Sequence, residues 1–435
     1  MKLFSLVALG SSLPLGVFGW GAAGHEIVAT IAQIHLHPTV LPTICEILNF
    51  TSTNPNEPEC HLAPIAAWAD KLRFKMRWSA QMHYVGALDD YPSRTCAFPG
   101  DRGWAGRRNI NVLGAIRNTT GLLEGYMNQE RDIYAANEAL KFLVHFLGDL
   151  HMPLHLTGRD RGGNSVKVLF DGRQTNLHSL WDGLLIAKNL RTIPYNYSRP
   201  LPIRQVEYNL RGAIYDPFIR RVMWEGIYGQ WKEEIPEWLT CPQSASPELP
   251  QVPGQLAFSS PWNIVSNAWN FLRSAFSVTG TEQSTDDSVI CPYHWAQPIH
   301  ELNCELIWPK ALDEPPYSSH SRLSEWFSAE NDHQHSTSLE EELAQFDADG
   351  KFVGDVADAT GRRGNGHDSP YLEMDTPEYA GVITQRRILE RLMAQAGIRL
   401  AGILNWLFLG DENISSALNL EMLTAPSGLS IALDV

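Results

Sequence analysis

Apolar residues recur at helical spacing along most of this chain. The stretches "GHEIVATIAQIHL" (24–36), "AAWADKLR" (66–73), "IRNTTGLLEGYMNQE" (116–130), "ANEALKFLVHFLGDL" (136–150), "PFIRRVMWEGIYGQWKEEI" (217–235) and "QRRILERLMAQAGIRLAGILNWLF" (385–408) all follow that period, which predicts six helices. A different period appears once. In "SVKVLF" followed by "DGRQTNLHS", branched residues alternate before Asp171-Gly172, which predicts a short β-hairpin. The fold class expected is therefore mainly α with a small hairpin. No phosphate-cradling glycine loop, dinucleotide fingerprint or fixed-period repeat interrupts this pattern. Two polar stretches, near 242–290 and near 318–370, read as surface insertions on a single domain spanning 20–435.

The helical pattern is broken in a particular way. "FLVHFLGDLHMPLHL" and "LHSLWDG" set His145, Asp149, His155, His178 and Asp182 inside apolar frames. Each buried imidazole or carboxylate carries a desolvation cost. One His-Asp pair could be an ordinary helix-stabilising contact. Here, however, His145 and Asp149 are four residues apart, as are His178 and Asp182, so each pair shares a helix face. Pro153 ends the first helix and lets the chain turn His155 back toward the same place. Asp70 in "AAWAD" and His83 in "QMHYV" have similar apolar surroundings. These seven residues offer nitrogen and oxygen donors without a nearby thiolate. That suits zinc, and imidazole with carboxylate also suits other divalent ions. Seven donors exceed what one tetrahedral ion needs, so a cluster of metals is expected.

The start of the chain bears on that cluster. Residues 1–19 have a positive charge near the start, an apolar stretch and small residues before Trp20, the pattern of a secretory signal peptide cleaved between Gly19 and Trp20. The apolar part is too short and too broken to span a membrane. No later segment has an uninterrupted apolar run of that length. A secreted, extracellular protein is expected. Cleavage would expose the α-amine and carbonyl of Trp20 as a chelating pair, with His25 approaching from the first helix.

Composition narrows the function. The formal net charge of −15 excludes a basic nucleic-acid clamp, but not a nuclease whose positive charge is supplied by metal ions. Six cysteines, none in a CxxC pair, suit disulfides in an oxidising compartment. Asn49, Asn118, Asn196 and Asn413 each begin an N-x-S/T sequon, a candidate glycosylation site in a secreted chain.

"WGAAGHE", "AAWAD", "HY", "FLVHFLGDLHMPLH", "DRGGN" and "LHSLWD", in this order and with "WAQPIHELNC" and "AGIRLAGILN" later, closely resemble the S1/P1 nuclease family of secreted zinc enzymes, distantly related to bacterial zinc phospholipases C. The resemblance covers most of 20–410 apart from the insertions. It implies a phospholipase C/P1 nuclease-like helical fold and a trizinc centre. One ion would be held by Asp70, His83, His145 and Asp149. A close neighbour would be held by Trp20, His25 and the same Asp149 as a bridge, and a third by His155, His178 and Asp182. The resemblance further implies metal-assisted hydrolysis of single-stranded DNA or RNA to 5'-phosphate products, with removal of 3'-phosphates from nucleotides. Arg73 would position phosphate, and Tyr84 would stack on a base. Cys96 would pair with Cys304. Cys45–Cys60 and Cys241–Cys291 are then the simplest pairs for the rest, although the sequence permits others. No obligate protein partner is implied.

The family pattern is broken at Gly86. Three residues after the histidine matched by His83, relatives carry an aspartate thought to orient or deprotonate water, and glycine has no side chain to do either. Asp89 or Asp90 could compensate from the following loop, and Gly86→Asp is expected to raise turnover if the missing carboxylate is limiting. Gly183, after Asp182, is a second departure. Two other readings stand beside the nuclease: a phospholipase-C-like phosphodiesterase, and a secreted metal-binding protein with impaired catalysis.

Overall fold

The computed structural model describes residues 20–72, 75–107, 109–242, 286–317 and 370–409. The leader, the sequon at Asn413 and nearly all of both insertions lie outside the described residues. Helices dominate, and the strands among the described residues form one two-stranded antiparallel sheet, β1 (Lys167–Phe170) and β2 (Arg173–Asn176), turning at Asp171-Gly172. The expected mainly α fold with a hairpin is observed.

At the centre lies α6 (Ile133–Leu150). Asp132 starts it by accepting a hydrogen bond from the Ala135 amide at 2.8 Å, which satisfies one orphan donor of the first turn. From Phe142 to Leu150 every residue is buried, because neighbours cover all sides: α1 (Ala22–Ile34), α5 (Val112–Met127) and the helix Ile388–Leu409. Close approach of α1 and Ile388–Leu409 depends on Gly397, where a β-carbon would lie 2.5 Å from Ile31 Cγ2. Ile388–Leu409 is long and apolar enough to cross a membrane by length and composition, but 72% of that window is buried inside the protein. It acts as a core helix here.

Three predicted helices are interrupted. The 66–73 segment breaks at Ala67 into α3 (Ala63–Ala66) and α4 (Trp68–Leu72). In 217–235, a helix Asp216–Arg221 widens into π-type turns over Val222–Gln230, where Trp231 folds so tightly on Gly226 that a β-carbon would meet its ring at 2.3 Å. In the last, Arg387 adopts φ 54°, which separates Val382–Gln385 from Ile388–Leu409. Periodicity could not show these breaks, since the buried face continues through each.

Past Leu150 the chain is held to the helix Ile388–Leu409 by a buried pair. A guanidinium can only donate, so Arg399 Nη1 donates to His151 Nε2 at 2.7 Å, leaving His151 Nδ1–H to donate to the Leu147 carbonyl at 2.7 Å. Burial and then the Arg399 charge hold His151 well below its ordinary pKa, so the pair carries one charge rather than two. Pro153 opens a 3₁₀ turn, Pro153–Leu156, and Asn303 Nδ2 anchors that turn by donating to the Pro153 carbonyl at 2.7 Å.

All six cysteines are paired, as Cys45–Cys60, Cys96–Cys304 and Cys241–Cys291. The last pair closes the segment containing the first insertion. Asn49, Asn118 and Asn196 are all exposed. The Cys45–Cys60 bridge joins positions 15 residues apart, a loop for which chain entropy predicts about 3 kcal/mol of stabilisation. Replacing both cysteines with alanine should lower unfolding stability by about that amount in denaturant titration. An unchanged midpoint would show that this loop is already ordered in the unfolded chain.

Candidate metal centre

Five segments deliver the donor side chains to one buried place. Helix α6 presents His145 and Asp149 on one face, one turn apart, with Asp149 Oδ2 3.2 Å from His145 Nε2. Asp70 comes from α4, and its Oδ1 lies 3.5 Å from His145 Nε2. His83 ends a 3₁₀ turn, Arg77–His83, and points Nδ1 at Asp149 Oδ2, 3.0 Å away. His25 reaches in from α1 with Nε2 3.5 Å from Asp149 Oδ1, and His155 Nδ1 lies 3.4 Å from the same oxygen. The two oxygens of Asp149 thus face different sets, Oδ2 toward His83 and His145, Oδ1 toward His25 and His155. Such division is what a carboxylate shared between two cations requires.

Three groups have donor atoms mutually within 4.8 Å and could each hold a metal: His25, Asp70 and His145; His83, His145 and Asp149; His155, His178 and Asp182. The third is the set expected from the sequence. In the first two, His25 falls beside Asp70 and His145, so these donors make one continuous cluster rather than two separate sets. His178 and Asp182 lie on one short helical stretch, Nε2 to Oδ2 at 3.1 Å. Trp20 is fully buried next to this stretch, where the Gly21 amide donates to the Asp182 carbonyl at 2.8 Å.

Two observations fit the donors to cations. First, buried polar atoms ordinarily find hydrogen-bond partners. Here His25 Nδ1 and Nε2, His83 Nε2, Asp70 Oδ2, Asp149 Oδ1 and both Asp182 oxygens have none. Second, three imidazoles are aimed by backbone carbonyls: His145 Nδ1 at Ala66 O (2.8 Å), His155 Nδ1 at His83 O (2.7 Å) and His178 Nδ1 at Gly162 O (2.7 Å). A proton held at Nδ1 by a carbonyl leaves Nε2 basic, the usual arrangement around a metal-binding histidine. The helix break at Ala67 has a use here, because it turns the Ala66 carbonyl toward His145.

The protein groups of the cluster strain one another electrostatically. Burial pushes Asp182 up to about 7 and pulls His155 down to about 4. Burial would also lower His145, but the Asp149 and Asp70 carboxylates outweigh it and hold that imidazole well above its ordinary value. Asp149 shows the mirror effect, held well below the carboxylate range against burial by the charges of His145 and His155. Cations among these groups would relieve the desolvation of the carboxylates without protonating the imidazoles.

Other site candidates divide. Tyr84 follows His83 in extended conformation and is half-buried, its carbonyl accepting from the Val112 amide at 3.2 Å. Arg73 lies outside the described residues. At Gly183 a β-carbon would meet nothing within 4 Å, so a side chain there would be accommodated. Gly86 is the opposite case. A β-carbon on it would stand 2.6 Å from Gly158 N and 2.9 Å from Gly158 Cα, so close backbone contact favours glycine and sets a steric cost against restoring aspartate there. Of the two neighbouring carboxylates, Asp90 is fully engaged elsewhere, whereas Asp89 keeps one oxygen, Oδ1, without a hydrogen-bond partner. Asp90 is buried and accepts from the Ala97 amide at 3.1 Å and from the Thr157 hydroxyl, with His300 Nε2 3.1 Å away. Asp89 Oδ2 accepts from the Arg102 amide at 3.3 Å.

One contributor was missed by sequence reasoning. A β-carbon at Gly148 would lie 2.4 Å from His25 Nδ1, so this glycine inside a buried helix opens the space that His25 occupies. Glycine costs a helix interior about 1 kcal/mol relative to alanine, and that unfavourable choice beside Asp149 was the available signal. Gly148→Ala should displace His25 and weaken metal binding about 10–100-fold in chelator competition, with helix content by circular dichroism retained. Unchanged affinity would remove His25 from the centre.

The geometry agrees with what similar sequences are. The S1/P1 Nuclease family model matches residues 20–243, which include every donor named above. Endonuclease 2 of Arabidopsis thaliana is 30% identical over 240 residues, 54% of this chain and 73% of that protein. Nuclease P1 of Penicillium citrinum is 36% identical over 171 residues (39% of this chain, 59% of that protein), and Nuclease S1 of Aspergillus oryzae is 36% identical over 183 residues (42% and 59%). This chain belongs to the S1/P1 nuclease family.

Proposed function

We propose that this nuclease-family chain is a secreted, zinc-dependent phosphodiesterase that cleaves single-stranded DNA or RNA to 5'-phosphate products and removes 3'-phosphates from nucleotides. The observation that carries the reading is Asp149, whose two buried oxygens face separate histidine sets within one cluster of donors, some of whose atoms have no hydrogen-bond partner. Under this reading Asp70, His83, His145 and Asp149 hold one zinc, Trp20, His25 and Asp149 a second, and His155, His178 and Asp182 a third. The role of Trp20 requires a free α-amine, hence cleavage after Gly19; a family match that begins at residue 20 supports it. The three disulfides suit the same secreted setting.

Bound zinc would supply the positive charge that the acidic chain lacks, lower the pKa of water from about 15.7 toward 7 and offset charge on phosphoryl oxygens. The chain's own residues position and exclude. Asp149 would be kept ionised by the cations its two oxygens face, with His145 and His155 as neutral ligands. The Ala66, His83 and Gly162 carbonyls fix the imidazoles. Arg73 is assigned to the substrate phosphate and Tyr84 to a base. With Gly86 in place of a carboxylate, no side chain at that position aims water, and turnover is expected to fall about 10²–10⁴-fold below a relative that has one. That same glycine supports a second reading, a metal-binding protein with impaired catalysis.

Metal-replete protein should hydrolyse single-stranded oligonucleotides and 3'-nucleotides, lose both activities on chelation, and leave phosphatidylcholine intact. Absence of turnover on all three would favour the binding-protein reading, and phospholipid cleavage alone the phospholipase reading. Gly86→Asp should lower stability by about 1–3 kcal/mol through overpacking on Gly158 and bring no gain in rate. A faster variant would show that the 157–158 backbone yields.

A further inference from the structure

Fourteen tryptophans occur in the chain, and among those in the described residues Trp78 is the exposed one, at 56%. Its position ties it to the metal centre. Trp78 lies on the Arg77–His83 turn, five residues before His83. The ring packs edge-on against Phe142 (centroids 5.6 Å apart), Phe142 stacks on Phe146 (5.2 Å), and Phe146 meets His83 itself (5.2 Å). Trp68, two residues before Asp70, abuts the other side of Phe142 at 5.3 Å, with the Lys141 ammonium 5.1 Å over its ring. Three elements that carry donors thus also carry one row of aromatic rings, which emerges from the centre and ends at Trp78.

Charge follows the same path. "KLRFKMRW" (71–78) alternates four cations with apolar residues and contains no acid, in a chain with net charge −15. Lys71, Lys75 and Arg77 are exposed. Glu26 lies near Lys71 and Glu138 near Lys141, whereas neither Lys75 nor Arg77 has an ion-pair partner among the described residues. An exposed aromatic face flanked by unneutralised cations is the combination that holds single-stranded nucleic acid, the cations tracking phosphates and the ring stacking on a base of any identity. Trp78 rests one edge on Phe142 and leaves more than half of its surface to solvent.

We propose that Trp78, Lys75 and Arg77 form a docking ledge for the single strand outside the metal centre, where Trp78 stacks a base away from the scissile phosphate. The ledge extends the nuclease reading and rests on it. It selects polynucleotides over mononucleotides, because a 3'-nucleotide engaged at the metals has no second base to offer Trp78.

The test compares Trp78→Ala, Trp78→Phe and the double variant Lys75→Glu/Arg77→Glu with the parent chain, using a single-stranded oligonucleotide and a 3'-mononucleotide. The ratio of kcat/KM for the two substrates should fall about tenfold or more in Trp78→Ala, carried by KM for the oligonucleotide. Trp78→Phe should recover most of the ratio, which a merely structural loss would not. Charge reversal should flatten the salt dependence of oligonucleotide binding. A ratio unchanged in Trp78→Ala overturns the ledge. Anisotropy of a labelled phosphorothioate oligonucleotide separates the two claims. Binding by the parent that weakens in Trp78→Ala, without turnover of any substrate, supports the ledge and refutes the catalytic reading; equal binding by both refutes the ledge.

Discussion

A carboxylate with no solvent exposure needs compensation, and Asp149 is such a group. The protein compensates with four imidazoles from four segments, each within 3.5 Å of one or other oxygen. Most of the architecture follows from that concentration of polar groups inside an apolar helix. Helix α6 must be covered on all sides, so α1, α5 and Ile388–Leu409 surround it. Gly148 must be small to admit His25, the helix must break after Ala66 so that the Ala66 carbonyl orients His145, and the chain after Leu150 must turn back at once to deliver His155. These features are costs to a plain helical bundle and gains to a metal centre.

Rigidity around the cluster comes from groups that never touch it directly. Asp90 grips the Thr157 hydroxyl two residues after His155, with His300 beside it, and the Cys96–Cys304 bridge lies next to that histidine. Arg159 continues the clamp, its guanidinium sandwiched between the rings of Tyr91 (3.9 Å) and Trp308 (4.4 Å) and paired with Asp313 at 2.6 Å. The loop that follows His155 is therefore pinned to two distant segments before it reaches Gly162, whose carbonyl orients His178. Gly86 belongs to this clamp as well. Its contact with Gly158 brings the His83 and His155 segments together, tightened by the Val85 amide donating to the His155 carbonyl at 2.8 Å.

Much of this was legible in the sequence, and the reasons differ by feature. The His145/Asp149 and His178/Asp182 spacings showed shared faces because helical periodicity is local, and the hairpin announced itself by alternation and a turn dipeptide. The disulfides followed from the family resemblance and proximity along the chain. What periodicity hid were breaks where the buried face continues, at Ala67, Val222 and Arg387. At Gly86 the sequence showed the carboxylate that is missing but not the Gly158 backbone that fills its place. Gly148 and the carbonyls of Ala66, His83 and Gly162 went unseen for a related reason. Backbone acceptors have no letter of their own, and a close approach between α1 and α6 is a tertiary fact.

The central claim is that one buried carboxylate serves more than one metal. Native mass spectrometry of the mature protein and of Asp149→Asn, both loaded with zinc and then desalted, tests it most directly. The account predicts about three zinc ions on the parent chain and loss of at least two on removing the Asp149 charge, with the His155, His178 and Asp182 set best able to keep its ion. A parent that retains one ion or none, or a variant that loses only one, would contradict it.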